Sequence, residues 1–397
     1  MGMRKLCLVG LAMGMFACGG QDASAPPPAA PPPPPAPAPV DTTPAPVATA
    51  APAPAPSKSD KILATLKEMG DAINAHDAAK ISSGYAKDCV VKMAGTPDAT
   101  GRDGVQLHMA EIFTMAPDAK SGARRVWVKD NNAVVEWTNT GTNTGESHFG
   151  KPTGKAFGFN GASAFTFNDD GKITEEHVYF DVPTLMQQLG VGPKMAGPAH
   201  PVAKLPDGAP EVHLAKGTPA EDANVASAKA MNRTFEKGDV KAFLDGLAED
   251  VSYDDVTMPA PMTGKKQAEG FYVAFSKAFP QPKITEANVY GVDDYTIDEW
   301  TMDATQKAPL SMGPGMTVPN TKKAINTHTL EIVQWKDGKL AKGWAYDNGM
   351  EMAMQLGLVK PPKGKAEAKP GAAAGKKEDT KAEAPKGDAA KKDKPAK

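Results

Sequence analysis

The chain contains only three cysteines in 397 residues, which leaves little room for disulfide or thiolate chemistry. Cys7 lies in an apolar N-terminal segment that we predict to be removed as a secretory signal, and Cys18 directly follows that segment. If lipidation consumes Cys18, only Cys89 remains, so neither an intrachain disulfide nor a cysteine metal site can form. We expect Cys89 to be a small buried hydrophobic residue rather than a reactive thiol.

Several other patterns are missing from the sequence. The apolar run from Leu6 to Phe16 is shorter than the roughly 20 residues that a membrane-spanning helix requires. The formal net charge is −2 and no basic stripe lies in the central part of the chain, so nucleic acid is not expected as a partner. The seven histidines show no paired ligand spacing with carboxylates, and no phosphate-loop, nucleophile-elbow or dinucleotide motif occurs. The sequence therefore predicts neither a metal site nor a cofactor.

The N-terminal region has the composition of an exported and anchored protein. Arg4 and Lys5 precede the apolar run, and a small residue stands directly before Cys18, so residues 1–18 resemble a bacterial lipoprotein signal. Residues 19–58 are rich in Pro and Ala, which is typical of an extended tether. We therefore expect lipidation at Cys18 and a location at the cell envelope, in the inner or the outer membrane. The alternative is an ordinary cleaved signal with an incidental cysteine.

The central part of the chain carries one pattern of turns, tryptophans and glycines twice, at a slowly growing offset. The clearest pairs are Asp88 with Asp250, Gly101 with Gly264, Trp137 with Trp300, Lys155 with Lys322, Asp170 with Asp337, and Gln188 with Gln355. A period this long indicates two whole domains rather than a solenoid, whose repeats run to roughly 20–50 residues.

These pairs set the domain boundaries. We predict a first domain at residues 59–192, a second at 220–359, and a Pro/Gly-rich linker at 193–219 between two cores that fold independently. Residues 360–397 contain twelve Lys against six Asp and Glu and almost no large apolar residue, which predicts a disordered tail.

Each unit begins with a helical pattern and continues with strands. Ile62, Leu66 and Met69 recur at helical spacing, whereas Phe157–Phe167 and Ile173–Asp181 are joined by a turn that is typical of a hairpin. Helices followed by a strand meander predict the α+β class. We expect two tandem cone-shaped domains, each with a long N-terminal helix and short helices packed on a curved antiparallel sheet.

A family resemblance rests on five segments of the first unit, Gly150–Lys155, Gly161–Phe165, Asp170–Ile173, Phe180-Asp181 and Gln188–Gly190. They resemble SnoaL-like polyketide cyclases of the nuclear transport factor two-like superfamily. The resemblance extends over the second unit, although the Gly-Ala-Ser element is replaced around Thr327–Thr329. It implies a cone that encloses an apolar pocket, and functions that range from isomerases and cyclases to inert binding domains.

The same resemblance implies a carboxylate that acts as general acid or base inside the cone. The matching acids are Asp181 and Asp347, each at the end of the last strand of its unit. In the first unit, strand alternation places His177, Tyr179 and Asp181 on one face, which makes all three candidate catalytic residues. The alternative is that Asp181 only caps the terminal helix and that His177 faces solvent.

The second unit has no equivalent set, because small residues such as Ala345 accompany Asp347 there. His328 on the preceding strand is its other catalytic candidate. Asp254 and Asp255 are further acids, but their position is more typical of a surface loop.

Trp137 and Trp300 occupy equivalent places and are candidate ligand-binding residues, with packing in the core as the alternative. The leading hypothesis is an envelope-tethered lipoprotein whose cones bind small apolar molecules. The first alternative is a cofactor-independent isomerase or cyclase that uses carboxylate acid-base catalysis in the first domain. The second alternative is a non-catalytic scaffold or assembly lipoprotein with filled cones. The oligomeric state stays open.

Overall fold

The computed structural model describes residues 56–93, 97–192, 199–313 and 315–359. The predicted signal peptide with Cys18, nearly all of the tether and the Lys-rich tail lie outside these ranges. None of the helices in the described part of the chain is both long and apolar enough to cross a membrane.

The two repeats have the same order of elements. The first contains α1 (Lys58–Asn74), α2 (Ala78–Ser83), β1 (Tyr85–Met93), β2 (Ala99–Thr100), α3 (Gly101–Met115), β3 (Lys120–Lys129), β4 (Asn132–Thr142), β5 (Ala156–Phe167), β6 (Ile173–Phe180) and α4 (Val182–Leu189). Strand β7 (Glu211–Leu214) follows between the repeats. The second contains α5 (Pro219–Lys237), α6 (Val240–Asp245), β8 (Leu247–Asp255), β9 (Met262–Thr263), α7 (Gly264–Ala278), β10 (Lys283–Val292), β11 (Tyr295–Thr305), β12 (Leu310–Gly313), β13 (Met316–Val318), β14 (Ala324–Lys336), β15 (Lys339–Asp347) and α8 (Gly349–Gln355).

The long first helix of each repeat begins at a capping box. Ser57 accepts a hydrogen bond from the Asp60 amide, and the Asp60 carboxylate accepts one from the Ser57 amide. Thr218 and Glu221 form the same reciprocal pair at the start of α5. Two otherwise unpaired helix donors are satisfied at each site, so the local sequence alone sets where each long helix starts.

Each repeat folds into one large sheet, and β12 and β13 pair separately in the second repeat, which confirms the predicted α+β class. The strand orders are β2-β1-β6-β5-β4-β3-β7 in the first repeat and β10-β11-β14-β15-β8-β9 in the second. The predicted antiparallel pattern holds for the meanders, but β1 pairs with β6 and β8 with β15 in parallel. This parallel pair brings the end of the first long strand beside the end of the last strand.

One face of each sheet lines its own cone, and the other faces of the two sheets pack against each other. Alternating residues of β3–β5 and of β10, β11, β14 and β15 form a shared cluster, which we call the interface core. Its buried members are Trp127, Val134, Ala162, Tyr290, Val292, Tyr295, Ile297, Leu330, Ile332 and Tyr346. The interface core therefore joins the two repeats, and independent folding of the two domains stays a prediction.

The predicted linker is partly built into the first repeat. Within it, β7 adds to the first sheet as a parallel neighbour of β3, with Val212 opposite Val126. Nearby, the Ala203 amide donates a 2.8 Å hydrogen bond to the carbonyl of Gly158 on β5. The linker therefore contributes an edge strand rather than a free connection.

Candidate functional site

The hydrogen-bond register identifies equivalent positions inside the two cones. On neighbouring strands of the first repeat, Trp137 lies opposite Gly161 and Gly161 lies opposite Phe180. In the second repeat the same register aligns Trp300, Thr329 and Asp347. On the first long strands, Met93 lies opposite Val178 and Asp255 lies opposite Ala345, which makes Met93 the counterpart of Asp255.

Aromatic side chains fill the first cone around these positions. The Phe159 and Phe180 ring centroids are 5.0 Å apart, and the Trp137 ring packs on both rings. A Cβ atom on Gly161 would come within 2.2 Å of the Trp137 ring, so the indole lies directly over the glycine backbone. We call Trp137, Phe157, Phe159 and Phe180 the aromatic cluster. The first cone is thus packed by its own side chains in the place where the second cone is polar.

The second cone contains a cavity of about 200 Å³. Its wall is mostly apolar, and α7, β11, β12, β13, β14 and α8 supply most of it. The apolar and aromatic lining residues include Phe271, Phe275, Trp300, Met302, Leu310 and Met352. Because Thr327 and Thr329 stand in place of Phe159 and Gly161, no aromatic ring fills this space.

Three carboxyl groups line one end of the cavity: Asp181, Asp255 and Asp347. The Oδ1 atom of Asp255 accepts hydrogen bonds from the amide and hydroxyl of Thr257, at 2.8 and 2.6 Å. The Oδ1 atom of Asp347 accepts one from the Thr329 hydroxyl. Within the described ranges, no group of three or more His, Cys, Asp or Glu side chains is arranged to hold a metal ion.

The surroundings favour the neutral form of these acids. Burial raises the pKa of Asp347 well above its ordinary value, the neighbouring Asp255 carboxylate raises it further, and the Thr329 hydrogen bond opposes both. Burial likewise raises the pKa of Asp255, against the hydrogen bonds from Thr257. A pair of interacting carboxyl groups in an apolar wall can share one proton, which is the arrangement of an acid-base site.

Asp181 belongs to the first repeat but lines the cavity of the second. It is the N-cap of α4, where Oδ2 accepts 2.8 and 2.6 Å hydrogen bonds from the amide and hydroxyl of Thr184. Its Oδ1 accepts a 2.9 Å bond from the Gly349 amide at the start of α8. Burial raises the pKa of Asp181 to about 6, against these hydrogen bonds. The helix-capping alternative is therefore observed, together with a second contact across the repeats.

The structure does not bring His177 and Tyr179 to the cone of the first repeat. Both lie on the opposite face of β6, where His177 Nδ1 is 2.8 Å from Glu299 Oε1 and the Tyr179 hydroxyl donates to the same oxygen at 2.9 Å. Asp181 follows the end of β6, so the alternation that placed it with them stops one residue earlier. The predicted trio is divided between the interface and the second cavity.

These contacts form half of a pseudo-symmetric pattern. Glu136 is the counterpart of Glu299, and the hydroxyl of Tyr346, the counterpart of Tyr179, donates to Glu136 at 2.5 Å. Arg125 also donates to Glu136, with a 2.8 Å bond from Nη2 to Oε1, and its guanidinium lies 3.6 Å from the centre of the Trp344 ring. Each repeat therefore places a tyrosine on a glutamate of the other.

The remaining candidates are divided between the two cones. Trp300 lines the cavity, whereas Trp137 belongs to the aromatic cluster and its Nε1 donates to the Ser163 hydroxyl at 3.1 Å. His328 also lines the cavity, with Nδ1 2.8 Å from Glu351 Oε1, and this hydrogen bond raises the pKa of His328.

Two features of the site were misread or missed in the sequence. Asp255 lies at the end of strand β8 and is only 7% exposed, and Asp254 is half-buried, so the surface-loop interpretation was wrong. Asp347 is the counterpart of Phe180, and Asn348, which caps α8, is the counterpart of Asp181. The offset that relates Gln188 to Gln355 already contained this alignment.

Two regions of the chain, residues 64–189 and 226–356, match the family described as SnoaL-like polyketide cyclase. Among solved structures, a SnoaL-like protein of Jannaschia sp. CCS1 is 17% identical, over 36% of this chain and 99% of its own, with a TM-score of 0.32. IdmH, a candidate polyketide cyclase of Streptomyces antibioticus, is 22% identical over 33% and 99%, with a TM-score of 0.30. An LEH-like epoxide hydrolase of M. tuberculosis is 12% identical over 35% and 93%, with a TM-score of 0.28.

Proposed function

The chain belongs to the SnoaL-like polyketide cyclase family, and from this premise we propose that its second repeat binds a small, largely apolar molecule inside the cone. The observation that carries the proposal is the cavity of about 200 Å³. An apolar wall with a few converging polar groups is the usual composition of a small-molecule site. The ligand places its apolar body against Phe271, Phe275 and Trp300, and a polar group against Asp255 and Asp347.

The first repeat has a supporting role in this proposal. Its aromatic cluster leaves the equivalent positions packed, and its helix α4 supplies Pro183, Thr184 and Gln187 to the wall of the second cavity. Asp181 joins the two by accepting the hydrogen bond from Gly349. The first repeat therefore helps to complete the site of the second.

Filling the cavity tests the proposal. Thr327→Phe introduces the residue that the first repeat carries at the same position, Phe159, so the fold has a precedent for it. Binding of cyclohexanol and of cyclohexylamine to the purified protein is followed by NMR titration. We expect Thr327→Phe to weaken the binding of either probe by at least about tenfold, since the added ring occupies the space of the ligand.

A matched control introduces the same side chain outside the cavity. Thr317 is exposed on β13 and does not line the cavity. Thr317→Phe should leave both affinities unchanged. If neither probe binds the unmodified protein, or if both bind Thr327→Phe equally well, the cavity is not a ligand site.

Acid-base catalysis is a second candidate function, and the paired carboxyl groups favour it. One ionised carboxylate could remove a proton from the carbon beside a carbonyl group while the neutral partner donates a hydrogen bond to the carbonyl oxygen. Exchange of the α-hydrogens of cyclohexanone in deuterated water, followed by mass spectrometry, tests this chemistry. Exchange that is faster than in buffer, and that Asp347→Asn abolishes, would support catalysis. Exchange at the buffer rate would leave ligand binding as the only proposed function of the cavity.

We also propose that lipidation at Cys18 holds the protein at the cell envelope. The support is the signal-like sequence of residues 1–18 and the Pro/Ala-rich segment that follows it. Two or more acyl chains give stable anchoring, whereas one chain gives marginal binding. Cys18→Ser should move the protein from the membrane fraction to the soluble fraction of cells, and unchanged membrane retention would contradict the anchor.

A further inference from the structure

Buried carboxylates at the interface between the repeats are matched by basic side chains. Glu136 has an exposed fraction of 0% and is bound by the Arg125 guanidinium. Glu299 is 7% exposed and lies 2.8 Å from His177 Nδ1. This is the usual condition for an acid inside a protein, because an isolated buried charge is strongly unfavourable.

The acids of the second cone have no such partners. Asp181, Asp255, Asp298, Glu331 and Asp347 take part in none of the ion pairs formed within the described ranges. Their hydrogen bonds come from neutral groups only: Thr184 and the Gly349 amide, Thr257, Asn232, Tyr253 and Thr329. Among the described residues, five acidic groups of one cone thus have no cation in ion-pair contact.

The histidines that line the cavity do not supply the missing charge. His328 is already paired with Glu351. Burial lowers the pKa of His200, so this imidazole is neutral at physiological pH.

Three of the acids face the cavity, and two of them are almost completely buried. Asp181 is 4% exposed and Asp255 is 7% exposed. Among the described residues, none donates a hydrogen bond to Oδ2 of Asp255, and the same holds for Oδ2 of Asp347. The acidic end of an otherwise apolar cavity therefore presents two acceptor atoms that the protein itself leaves without a donor.

We propose that the ligand of the second cone is a small apolar amine, whose ammonium group lies between Asp255 and Asp347. This inference rests on the proposed function and specifies the chemical class of its ligand. The ammonium group provides the positive charge that the cone lacks and up to three N–H donors for the two free oxygens. The hydrocarbon part packs on the apolar wall, which includes Trp300, Phe271 and Phe275.

The size and charge of the cavity exclude other ligand classes. A neutral alcohol fits the wall but brings no charge that would stabilise the ionised form of the acids, and an anion would stabilise only their neutral form. The cavity of about 200 Å³ is below the range of drug-sized ligand sites, roughly 300–1,000 Å³, so the amine is a compact alkyl or cycloalkyl amine.

Three probes of the same shape and different charge test the proposal. Cyclohexylamine, cyclohexanol and cyclohexanecarboxylate are titrated separately into the purified full chain at pH 7.5, with binding followed by NMR. We expect the amine to bind at least about tenfold more tightly than the alcohol, and the carboxylate to bind more weakly than either. Equal or tighter binding of the alcohol would overturn the inference while leaving the proposed apolar site in place. Binding of none of the three would overturn both.

Substitutions then assign the preference to the two carboxyl groups. The double variant Asp255→Asn, Asp347→Asn keeps the shape of the cavity and removes its ionisable groups. We expect its affinity for cyclohexylamine to fall to its affinity for cyclohexanol, and a thermal melt checks that the variant stays folded. An unchanged amine preference in this variant would show that other groups select the amine and would overturn the assignment.

The control variant is Asp254→Asn. Asp254 lies on the same strand as Asp255, half-buried, and it does not line the cavity. Its register partner on β15 is Trp344, whose ring lies over Arg125. The amine preference should survive in this variant. If it is lost there to the same extent, general acidity rather than the cavity pair attracts the amine, and the inference fails.

Discussion

The two repeats use one backbone for two different interiors. At the positions where the first cone has Met93, Phe159, Gly161 and Phe180, the second has Asp255, Thr327, Thr329 and Asp347. In the first cone the rings of Phe159 and Phe180 pack together, and in the second cone the equivalent set surrounds a cavity with an acidic end. A few side chains on equivalent strands therefore decide whether this fold stabilises itself or leaves space for a ligand, which is why the fold alone does not define the function.

Separating the repeats should have the largest effect, because the open cone borrows part of its wall from the packed one. We expect a fragment of residues 218–359 to unfold at a much lower temperature than the whole chain, since it exposes the interface core with Tyr290, Tyr295 and Tyr346. A fragment of residues 56–217 should be destabilised as well, and mixing the two should raise the melting temperature. Calorimetry of both fragments checks this. If both fragments are monomeric and melt at the temperature of the whole chain, the two domains fold independently.

An exchange of residues between the cones should have the next largest effect. Phe159→Thr with Phe180→Asp gives the first cone the side chains of the second, and we expect a loss of about 5 kcal/mol in the free energy of unfolding. The reverse change, Thr327→Phe with Asp347→Phe, fills a cavity and removes an unpaired buried acid, so stability should be kept while ligand binding is lost. Urea unfolding measures both variants. Equal destabilisation by the two exchanges would contradict the division of roles.

At the interface, equivalent glutamates of the two repeats have different basic partners. Glu136 is held by Arg125, whereas Glu299 is held by His177. Arg125→Met leaves Glu136 fully buried without a cation, and we expect it to cost about 3–5 kcal/mol. Adding Glu136→Gln to that variant should recover part of the loss, because the buried charge is then gone. If the double variant is less stable than Arg125→Met, the pair does not act through charge compensation.

The fold could be predicted from the sequence, but the difference between a packed first cone and an open second cone could not. The capping boxes at Ser57 and Thr218 and the alternating strands are local patterns, so the helices and hairpins could be predicted. The parallel pairing of β1 with β6 is a contact between distant segments, and no local pattern of the first long strand indicates it. As a result, Asp255 was placed in a surface loop although it is buried beside Ala345.

The predicted catalytic residues also depend on contacts between distant segments. Alternation correctly placed His177 and Tyr179 on one face of a strand, but it could not say which face meets the cone. That choice depends on the packing of one sheet against the other, where Glu299 accepts both side chains. Matching Asp181 with Asp347 by their strand ends was wrong by one residue, and in a strand one residue moves a side chain to the other face.

The smallest effect concerns the pair Asp181 and Asn348, of which only the first can ionise. Burial raises the pKa of Asp181 from 3.8 to about 6, so the folded protein holds this proton more tightly than the unfolded chain does. The resulting stabilisation is fully present below pH 3.8 and is lost as the pH rises through about 6. It amounts to about 3 kcal/mol at most, since one pKa unit corresponds to about 1.4 kcal/mol. Asp181→Asn should therefore flatten the fall of the unfolding free energy between these two values, measured by urea titration at several pH values. The exposed Asp169→Asn serves as control and should keep the slope. An unchanged slope in Asp181→Asn would show that other acids, and not Asp181, cause the pH dependence.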